Sequence, residues 1–209
     1  MGAPGRRIMQ CPSRENSMSL PNSSLSGAPL LDFARALDFA AHKHIDQRRK
    51  GVRAEPYVNH LSEVALLVAQ ATEGKDHVVV IAALLHDTLE DTDASYEEIE
   101  ELFGIEVVQV VAETTDDKRM SKAERKQHQI DAAPHASTRA KLVKLADKVS
   151  NLRSMAHSPP ADWPLSRKVE YFEWAYAVVA GLRGVDTRLE ALFDRAYHDG
   201  LAELRGQAA

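Results

Sequence analysis

The sequence lacks the features that mark secreted and membrane proteins. Its 209 residues include one cysteine, Cys11, so no internal disulfide can form and nothing requires an oxidising compartment. No apolar run approaches the roughly 18 residues of a membrane span. Arg6 and Arg7 are not followed by the apolar segment of a secretory signal. We therefore expect a cytoplasmic protein with no membrane partner.

The chain also has fewer basic than acidic residues. The formal net charge is −5, with 26 Lys and Arg against 31 Asp and Glu. A general nucleic-acid binder needs a basic surface to meet phosphates, so we expect no nucleic-acid partner, although local basic pockets stay open. With 44% hydrophobic and 27% charged residues, the chain suits one globular domain with a sizeable core. The oligomeric state is left open, and a homo-oligomer is compatible with the sequence.

The chain shows no convincing period-two alternation and no internal repeat, which argues against a β-sheet and a solenoid. Apolar residues recur at helical spacing from Leu30 onwards. We predict an all-α fold over residues 30–209, a compact single-domain bundle of about eight to ten helices. Residues 1–29 are rich in Ser, Pro, Gly and Asn and are expected to form a flexible tail. An alternative is a leader ahead of a start at Met18.

Several helix ends and faces can be predicted in detail. Asp76 is well placed as the N-cap of a helix that continues to Asp91 and is apolar almost all round, which predicts a central position. Ser95 and Glu98 form a capping-box pattern. The predicted inward face of the first helix consists of Leu31, Ala34, Leu37, Ala41 and His44. The predicted inward face of the helix over 137–155 consists of Leu142, Leu145, Val149 and Leu152.

The segment AALLHDTLEDTD, residues 82–93, runs from an apolar helix into one histidine and four acids. Glu90 lies four residues after His86, and Asp91 lies four after Asp87, so these side chains pair over little more than one helical turn. Acids at a helix C-terminus oppose the helix dipole, and a divalent cation would offset the repulsion among the carboxylates. For an isolated His-Asp pair, a helix end emerging into solvent is the simpler explanation.

Two further residues favour a metal site. His60 stands at the start of the second helix, and Asp147 lies between Leu145 and Val149 in a stretch with an apolar stripe. A lone helical aspartate is more often solvated or salt-bridged. A histidine, a His-Asp pair and a distant aspartate, each at a helix edge, can instead converge inside a bundle and hold a cation.

The sequence resembles a known family at these positions. The pattern H…HD…D resembles the signature of HD-domain metal-dependent phosphohydrolases, and HDTLEDTD is similar to the HDxxED motif of RelA/SpoT-type alarmone hydrolases. QRRKGVRAEPYVNH resembles the basic loop of that group. The segment over 115–153, which contains ADKVSNLR, and EYFEWAYAVVAGLRG resemble the stand-alone small alarmone hydrolases, the group of the metazoan SpoT homologue. The resemblance covers about Leu31 to Leu192.

The resemblance implies hydrolysis of the 3′-pyrophosphate of guanosine tetra- or pentaphosphate to GDP or GTP and pyrophosphate. It implies one Mn²⁺ ion per chain, with four ligands: His60, His86, Asp87 and Asp147. Such a mixed imidazole and carboxylate set suits Mn²⁺ or Fe²⁺ better than Ca²⁺. It also implies that Glu90 and Asp91 are the catalytic acids that orient and deprotonate the attacking water.

The resemblance further implies substrate contacts from Arg49, Lys50, Asn151, Arg153, Arg167 and Tyr171. Arg49 is expected to stack on the guanine, and Lys50 to reach a phosphate or the ribose. Asn151 lies one turn after Asp147 and should face the same way. Phe172 and Trp174 are expected to fill the core rather than to stack on a base.

Three alternatives stay open. The same site in metazoan-type relatives is also credited with removing the 2′-phosphate of NADPH. An HD nucleotidase acting on deoxynucleoside monophosphates is disfavoured by the RRK loop and the HDxxED motif. A catalytically inactive HD scaffold that binds nucleotides or a partner protein is disfavoured by the complete ligand set. Longer RelA/SpoT proteins add a synthetase, for which this chain leaves no room, so hydrolysis alone is expected.

Overall fold

The computed structural model describes residues 27–206, and over that range the chain is helical, with a single isolated β-bridge between Arg48 and Pro56. The helices are α1 Pro29–Lys43, α2 Val58–Ala71, α3 His77–Leu85, α4 Thr88–Asp91, α5 Tyr96–Phe103, α6 Ile105–Thr114, α7 Lys122–Ala132, α8 Thr138–His157, α9 Leu165–Ala180 and α10 Thr187–Gly206, with a 3₁₀ turn at Ala133–His135. The predicted all-α class is confirmed. The tail predicted over 1–29 falls mostly on residues 1–26, outside the described range, and stays a prediction. No helix in that range combines the length and apolarity that crossing a membrane requires.

Helix α3 forms the centre of the bundle. All its residues from Val78 to Leu85 are buried, and it packs against α1, α2, α6 and α8. Its start is fixed by Asp76, as predicted, because the side chain of Asp76 accepts a hydrogen bond from the Val79 N–H at 3.3 Å. Arg139 on α8 holds the same carboxylate at 2.8 Å. The C-terminal end of α3 therefore delivers the next residues into the interior.

The predicted continuous helix to Asp91 is wrong. Helix α3 ends at Leu85, residues 86–87 form a turn, and α4 begins at Thr88. One cause is local, since Nδ1 of His86 donates to the Ala83 carbonyl at 2.9 Å. That carbonyl is the acceptor that residue 87 would use in a continuing helix. The turn lets two adjacent side chains face one point.

The predicted inward face of α1 is confirmed only in part, since Leu37 is half-buried against the core. The buried residues of this helix are Asp32, Ala36 and Ala40. Leu31 and Ala34 are exposed. The two alanines let α1 approach α3 closely, because interaxial distance depends on the side chains at the contact. Of the predicted face, His44 is buried, just after the helix end.

Helices α7 and α8 differ in how they are attached. The predicted inward residues of α8 are all buried, namely Leu142, Leu145, Val149 and Leu152. Helix α8 packs mainly on α10 and α2. Helix α7 has no buried residue and contacts α9 and the 3₁₀ turn. It is instead started by a full capping box between Ser121 and Glu124. Phe172, predicted as core, is fully buried.

Candidate metal and nucleotide site

Three of the predicted metal ligands meet in the interior. One donor atom from each of His60, His86 and Asp147 lies within 4.8 Å of the other two. The Nε2 atom of His60 is 3.2 Å from Oδ1 of Asp147, and the Nε2 atom of His86 is 3.7 Å from the same oxygen. These residues come from α2, the turn after α3, and α8. The fold thus gathers side chains that are up to 87 positions apart, from His60 to Asp147.

Asp87 lies beside the two histidines of this cluster. Its Oδ2 atom is 3.0 Å from Nε2 of His86 and 3.6 Å from Nε2 of His60. Asp87 is not part of the set whose donor atoms all lie within 4.8 Å of one another. Neighbouring ligands of an octahedral ion with bonds of about 2.1 Å are about 3 Å apart. The distances from Asp87 to the two histidines lie close to this value.

The two imidazoles are oriented for metal binding. Their Nδ1 atoms are bonded outward, to Ser150 Oγ for His60 and to the Ala83 carbonyl for His86, each at 2.9 Å. A carbonyl can only accept, so Nδ1 of His86 carries a proton, and in the neutral imidazole Nε2 is the atom with the lone pair. The Nε2 atoms are buried and have no hydrogen-bond partner, although carboxylate oxygens lie close to both. A divalent cation between the lone pairs and the carboxylates fits this arrangement.

The electrostatics agree with that donor set. Burial acts to raise the pKa of Asp87, but the neighbouring His86 and His60 hold it well below its usual value. Burial likewise opposes the shift of Asp147, whose pKa is held low mainly by Lys148. For His86, burial acts to lower the pKa, and the two aspartates outweigh it and raise the pKa to about 10. A proton and a metal ion therefore compete for the same lone pair.

Asp147 is fixed by two neighbours on its own helix. Asn151 donates to Oδ1 at 2.6 Å, and Lys148 donates to Oδ2 at 3.0 Å. Lys148 is buried, and its ammonium lies 4.6 Å from the centre of the Trp174 ring. Asn151 thus faces the same way as Asp147, as the spacing predicts, and it orients a candidate ligand.

The two acids of α4 are tethered differently. Glu90 Oε2 accepts a hydrogen bond from the Asp116 N–H at 3.1 Å, and Oε1 lies 3.7 Å from Nη1 of Arg125. Burial raises the pKa of Glu90, against the effect of the Asp116 N–H. Both oxygens of Asp91 are occupied, Oδ1 by Lys118 at 2.8 Å and Oδ2 by Gln47 at 3.0 Å. Glu90 therefore keeps more freedom to exchange a proton.

Two clefts adjoin the cluster and share Lys50, Trp163 and Tyr171. The first, the α8 cleft, has a volume of about 210 Å³, and its lining includes Arg49, Tyr57, Asp91, Asn151 and Met155. The second, the α7 cleft, has a volume of about 400 Å³, and its lining includes Asp116, Lys122, Arg125, Lys126, Arg167 and Trp174. Five of the six predicted substrate-binding residues line one cleft or the other, namely Arg49, Lys50, Asn151, Arg167 and Tyr171.

The structure places Arg153 elsewhere. This residue lines neither the α8 cleft nor the α7 cleft. Its Nη1 atom donates instead to Oε1 of Glu63 on α2, at 2.9 Å. The geometry therefore does not favour the predicted contact between Arg153 and the substrate.

The cations of the α7 cleft rest on aromatic rings. The guanidinium of Arg167 lies 4.0 Å from the centre of the Trp163 ring, and Lys122 lies 5.6 Å from the same ring. Lys126 lies 5.3 Å from the centre of the Trp174 ring. Within residues 27–206, none of these three cations has a carboxylate within 4.0 Å. Burial and the neighbouring cations lower the pKa of Lys122. These charges are therefore available to an anionic ligand.

Lys122, Lys126 and Trp174 were not among the predicted site residues. Trp174 was expected in the core, but it is half-buried and lines the α7 cleft. Its Nε1 donates to the Lys126 carbonyl at 3.0 Å, which ties α9 to α7. The only signal in the sequence is the four-residue spacing of the two lysines on one face of α7.

His44, a fourth residue that the sequence did not single out as part of the site, supports the metal cluster. His44 is buried and stacks on Tyr57, with ring centres 5.2 Å apart. Tyr57 in turn donates to Oδ2 of Asp87 at 2.6 Å. Nδ1 of His44 bonds to Gln47, and burial lowers the pKa of His44. His44 thus packs behind the tyrosine that holds a candidate ligand.

Comparison with known proteins defines the class. The profile of the HD domain family matches residues 36–185, most of the described chain. This chain therefore belongs to the HD domain family.

Individual proteins are similar to this chain over most of its length. The protein of Mus musculus named guanosine-3′,5′-bis(diphosphate) 3′-pyrophosphohydrolase MESH1 is 47% identical over 173 residues, which cover 83% of this chain and 97% of the mouse protein. The Homo sapiens protein of the same name is 49% identical over 164 residues, which cover 78% of this chain and 92% of the human one. A solved structure described as a metazoan ortholog of SpoT that hydrolyzes ppGpp superposes with a TM-score of 0.78, at 46% identity, over 81% of this chain and 96% of its own. The predicted resemblance to the metazoan SpoT homologue is confirmed.

Proposed function

We propose that this chain is a metal-dependent phosphohydrolase that removes the 3′-pyrophosphate from guanosine tetra- or pentaphosphate. The products are GDP or GTP and pyrophosphate. The observation that carries the proposal is the pair of buried, unpartnered Nε2 atoms that face two carboxylates beside a cation-rich cleft. The substrate is supported by the relatives named for this reaction, which are up to 49% identical.

We assign the metal to four side chains, namely His60, His86, Asp87 and Asp147. Two imidazoles and two carboxylates suit Mn²⁺ or Fe²⁺ better than Ca²⁺, and we propose Mn²⁺. When bound, such an ion polarises a phosphoryl oxygen and makes water more acidic. The chain contributes the fixed donors, because each histidine is already oriented through its Nδ1 atom.

Glu90 is the residue best placed to accept the proton of the attacking water. Its Oε2 is held by the Asp116 N–H, which leaves Oε1 as the freer atom. The raised pKa brings this carboxyl closer to the range in which general bases work. Asp91, with both oxygens bonded, acts as an orienting group that fixes the end of α4 against Gln47 and Lys118.

We assign chemically different parts of the substrate to the two clefts. The α8 cleft offers flat and polar groups to the nucleoside, with the Arg49 guanidinium 5.9 Å from the centre of the Tyr57 ring and Asn151 nearby. The α7 cleft offers cations to phosphate, with Lys50 and Tyr171 at the junction and Arg167, Lys122 and Lys126 beyond it. A lysine or arginine that rests on an indole keeps its charge for the ligand. This division suits a nucleotide with phosphates at more than one position.

A substrate panel in the presence of Mn²⁺ tests the proposal. Guanosine tetraphosphate, guanosine pentaphosphate, NADPH and dGMP are incubated with the full chain, and pyrophosphate and orthophosphate are measured separately. We expect pyrophosphate from the first two compounds and no turnover of dGMP. Orthophosphate from NADPH alone would replace the proposal with a 2′-phosphatase. Bound Mn²⁺ without turnover of any compound would indicate an inactive scaffold.

A further inference from the structure

His60 is held from behind by three polar side chains on α2 and α8. Its Nδ1 atom is 2.9 Å from Oγ of Ser150, and that hydroxyl donates to Oε2 of Glu63 at 2.7 Å. The other oxygen of Glu63, Oε1, accepts from Arg153 at 2.9 Å. We refer to Ser150, Glu63 and Arg153 as the support chain. It ends at the imidazole on the side opposite the candidate metal position.

The directions of these hydrogen bonds follow from the groups involved. A carboxylate can only accept, so the hydroxyl proton of Ser150 points to Glu63. The oxygen of Ser150 then has only lone pairs for His60, so the imidazole must donate through Nδ1. In the neutral imidazole, Nε2 is then the atom with the lone pair, and it faces Asp147, at 3.2 Å from Oδ1. The support chain thus selects the tautomer that a metal ion needs.

The arrangement has no substitute in the surrounding structure. Ser150 is 1% exposed and His60 is 3% exposed, so the hydroxyl and the imidazole bond to each other away from bulk water. His86 shows the contrast, because its Nδ1 bonds to the main-chain carbonyl of Ala83. A backbone acceptor is present whatever the side chain, whereas the acceptor behind His60 depends on three specific side chains.

We propose that Ser150, Glu63 and Arg153 are positioning residues that set the metal affinity of His60. Arg153 acts by holding Glu63 in place through their hydrogen bond, and it makes no contact with the nucleotide. This inference rests on the metal site of the proposed function. A purely structural role, as a polar link between α2 and α8, would instead affect the stability of the metal-free protein and leave metal affinity unchanged.

The test is a Mn²⁺ titration of the metal-depleted full chain, wild type against Ser150→Ala, followed by the electron paramagnetic resonance of free Mn²⁺. We expect the variant to bind Mn²⁺ about 10–100-fold more weakly, the range for loss of a hydrogen-bond partner behind a ligand. The melting temperature without metal should also fall, because the buried Nδ1 of His60 loses its partner, so the Mn²⁺ affinity is the quantity that separates the two roles. Ser62→Ala is the matched control, since Ser62 is exposed on α2 and donates only to the Asn59 carbonyl.

A spectroscopic measurement separates positioning from folding. Co²⁺ bound to the wild type and to Ser62→Ala should give the same visible absorption bands, and Ser150→Ala should give altered ones, because the His60 ligand is lost or reoriented. Equal Mn²⁺ affinity and equal Co²⁺ spectra in Ser150→Ala and the wild type would overturn the support chain alone. A wild type that binds no Mn²⁺ would overturn the proposed metal site as well.

Arg153→Ala distinguishes the two roles considered for that residue. The support chain predicts Mn²⁺ binding several-fold weaker, with an unchanged KM for guanosine tetraphosphate at saturating Mn²⁺. A raised KM with unchanged Mn²⁺ affinity would instead show contact with the substrate and overturn the positioning role of Arg153.

Discussion

The metal cluster and the α7 cleft adjoin each other, but their polar side chains are held in different ways. The cluster lies among central helices, and each histidine is fixed by a hydrogen bond at Nδ1, on the side away from the other ligands. The α7 cleft draws two lysines from a helix with no buried residue and supports them on indole rings rather than on carboxylates. The difference follows from solvent. A buried polar group needs fixed partners because desolvation is costly, whereas a cation at the rim can stay solvated and available.

Removal of a metal ligand should have the largest effect. Asp147→Asn keeps the shape of the side chain but removes its charge, so we expect Mn²⁺ affinity to fall by more than about 100-fold, beyond the range for outer residues. Turnover should become undetectable. Isothermal titration with Mn²⁺ measures the first quantity, and pyrophosphate release measures the second. Asp117→Asn, at an acid paired with Arg119 alone among ionic partners, is the control. Normal Mn²⁺ binding by Asp147→Asn would contradict the ligand assignment.

Glu90→Gln should separate binding from chemistry. Because Glu90 is assigned to proton transfer, we expect kcat to fall by about 10²–10⁴-fold with Mn²⁺ affinity within a few-fold of wild type. Steady-state kinetics and a Mn²⁺ titration give the two values. Glu97→Gln, an exposed acid at the start of α5, should leave both unchanged. An unaltered kcat in Glu90→Gln would remove this residue from the mechanism.

The α7 cleft should respond in KM rather than in metal binding. In a double variant, Lys122→Ala with Lys126→Ala, we expect KM for guanosine tetraphosphate to rise by about 10–100-fold, since a hydrogen bond to a charged group contributes about 1.5–3 kcal/mol. Mn²⁺ affinity should stay the same. Lys75→Ala, at an exposed lysine paired with Glu73, is the control. A loss of Mn²⁺ affinity in the double variant would show that the two regions are not independent.

Lowering the pH should reduce the stability of the fold next to the metal cluster, through His44. Burial lowers the pKa of His44 below its usual 6.5. Above pH 6.5 the residue is neutral in the folded and unfolded chain, so its contribution to stability is constant. Below pH 6.5 the unfolded chain takes up the proton first, so stability falls as the pH falls. Between pH 6.5 and 5.5 we expect a loss of up to about 1 kcal/mol. Urea unfolding of the metal-free protein should show a steeper loss for wild type than for His44→Phe, and parallel curves would refute this.

The smallest effect should come from the cap of α7. Ser121→Ala removes half of the capping box with Glu124, and we expect about 0.5–1 kcal/mol of local stability to be lost. Hydrogen exchange of the α7 amides should accelerate, with Mn²⁺ affinity unchanged, because α7 does not pack on the helices that carry the metal cluster. Ser95→Ala, which removes the cap of α5, should accelerate exchange in α5 only. A lower Mn²⁺ affinity of Ser121→Ala would argue against an α7 cleft that is independent of the metal cluster.

The residues of the metal cluster were easier to predict from the sequence than those of the α7 cleft, for a physical reason. Histidines and acids next to apolar runs are unusual, so His86 and Asp147 stand out even without coordinates. Exposed lysines on a helix are common, and nothing in the sequence shows that Lys122 and Lys126 face indoles from a later part of the chain. The same limit explains Trp174, whose apolar body suits a core and whose place in the cleft depends on how α9 meets α7.

Other errors arose where one hydrogen bond or one small side chain decides the outcome. Periodicity extended α3 through residue 87, whereas the bond from His86 to the Ala83 carbonyl accompanies a turn. On α1, larger side chains suggested one face, whereas Ala36 and Ala40 make the close contact. Arg153 matched a family pattern, and only the structure shows that its guanidinium bonds to Glu63.

The lack of buried residues on α7 has a practical consequence. The exposed positions of this helix can be varied without disturbing the interior, provided that Ile130, which packs against the core, and Arg125, which lies 3.7 Å from Glu90, are kept. Libraries confined to the remaining positions, Lys122 and Lys126 among them, would explore which anions the cleft accepts while the contact to Glu90 stays in place.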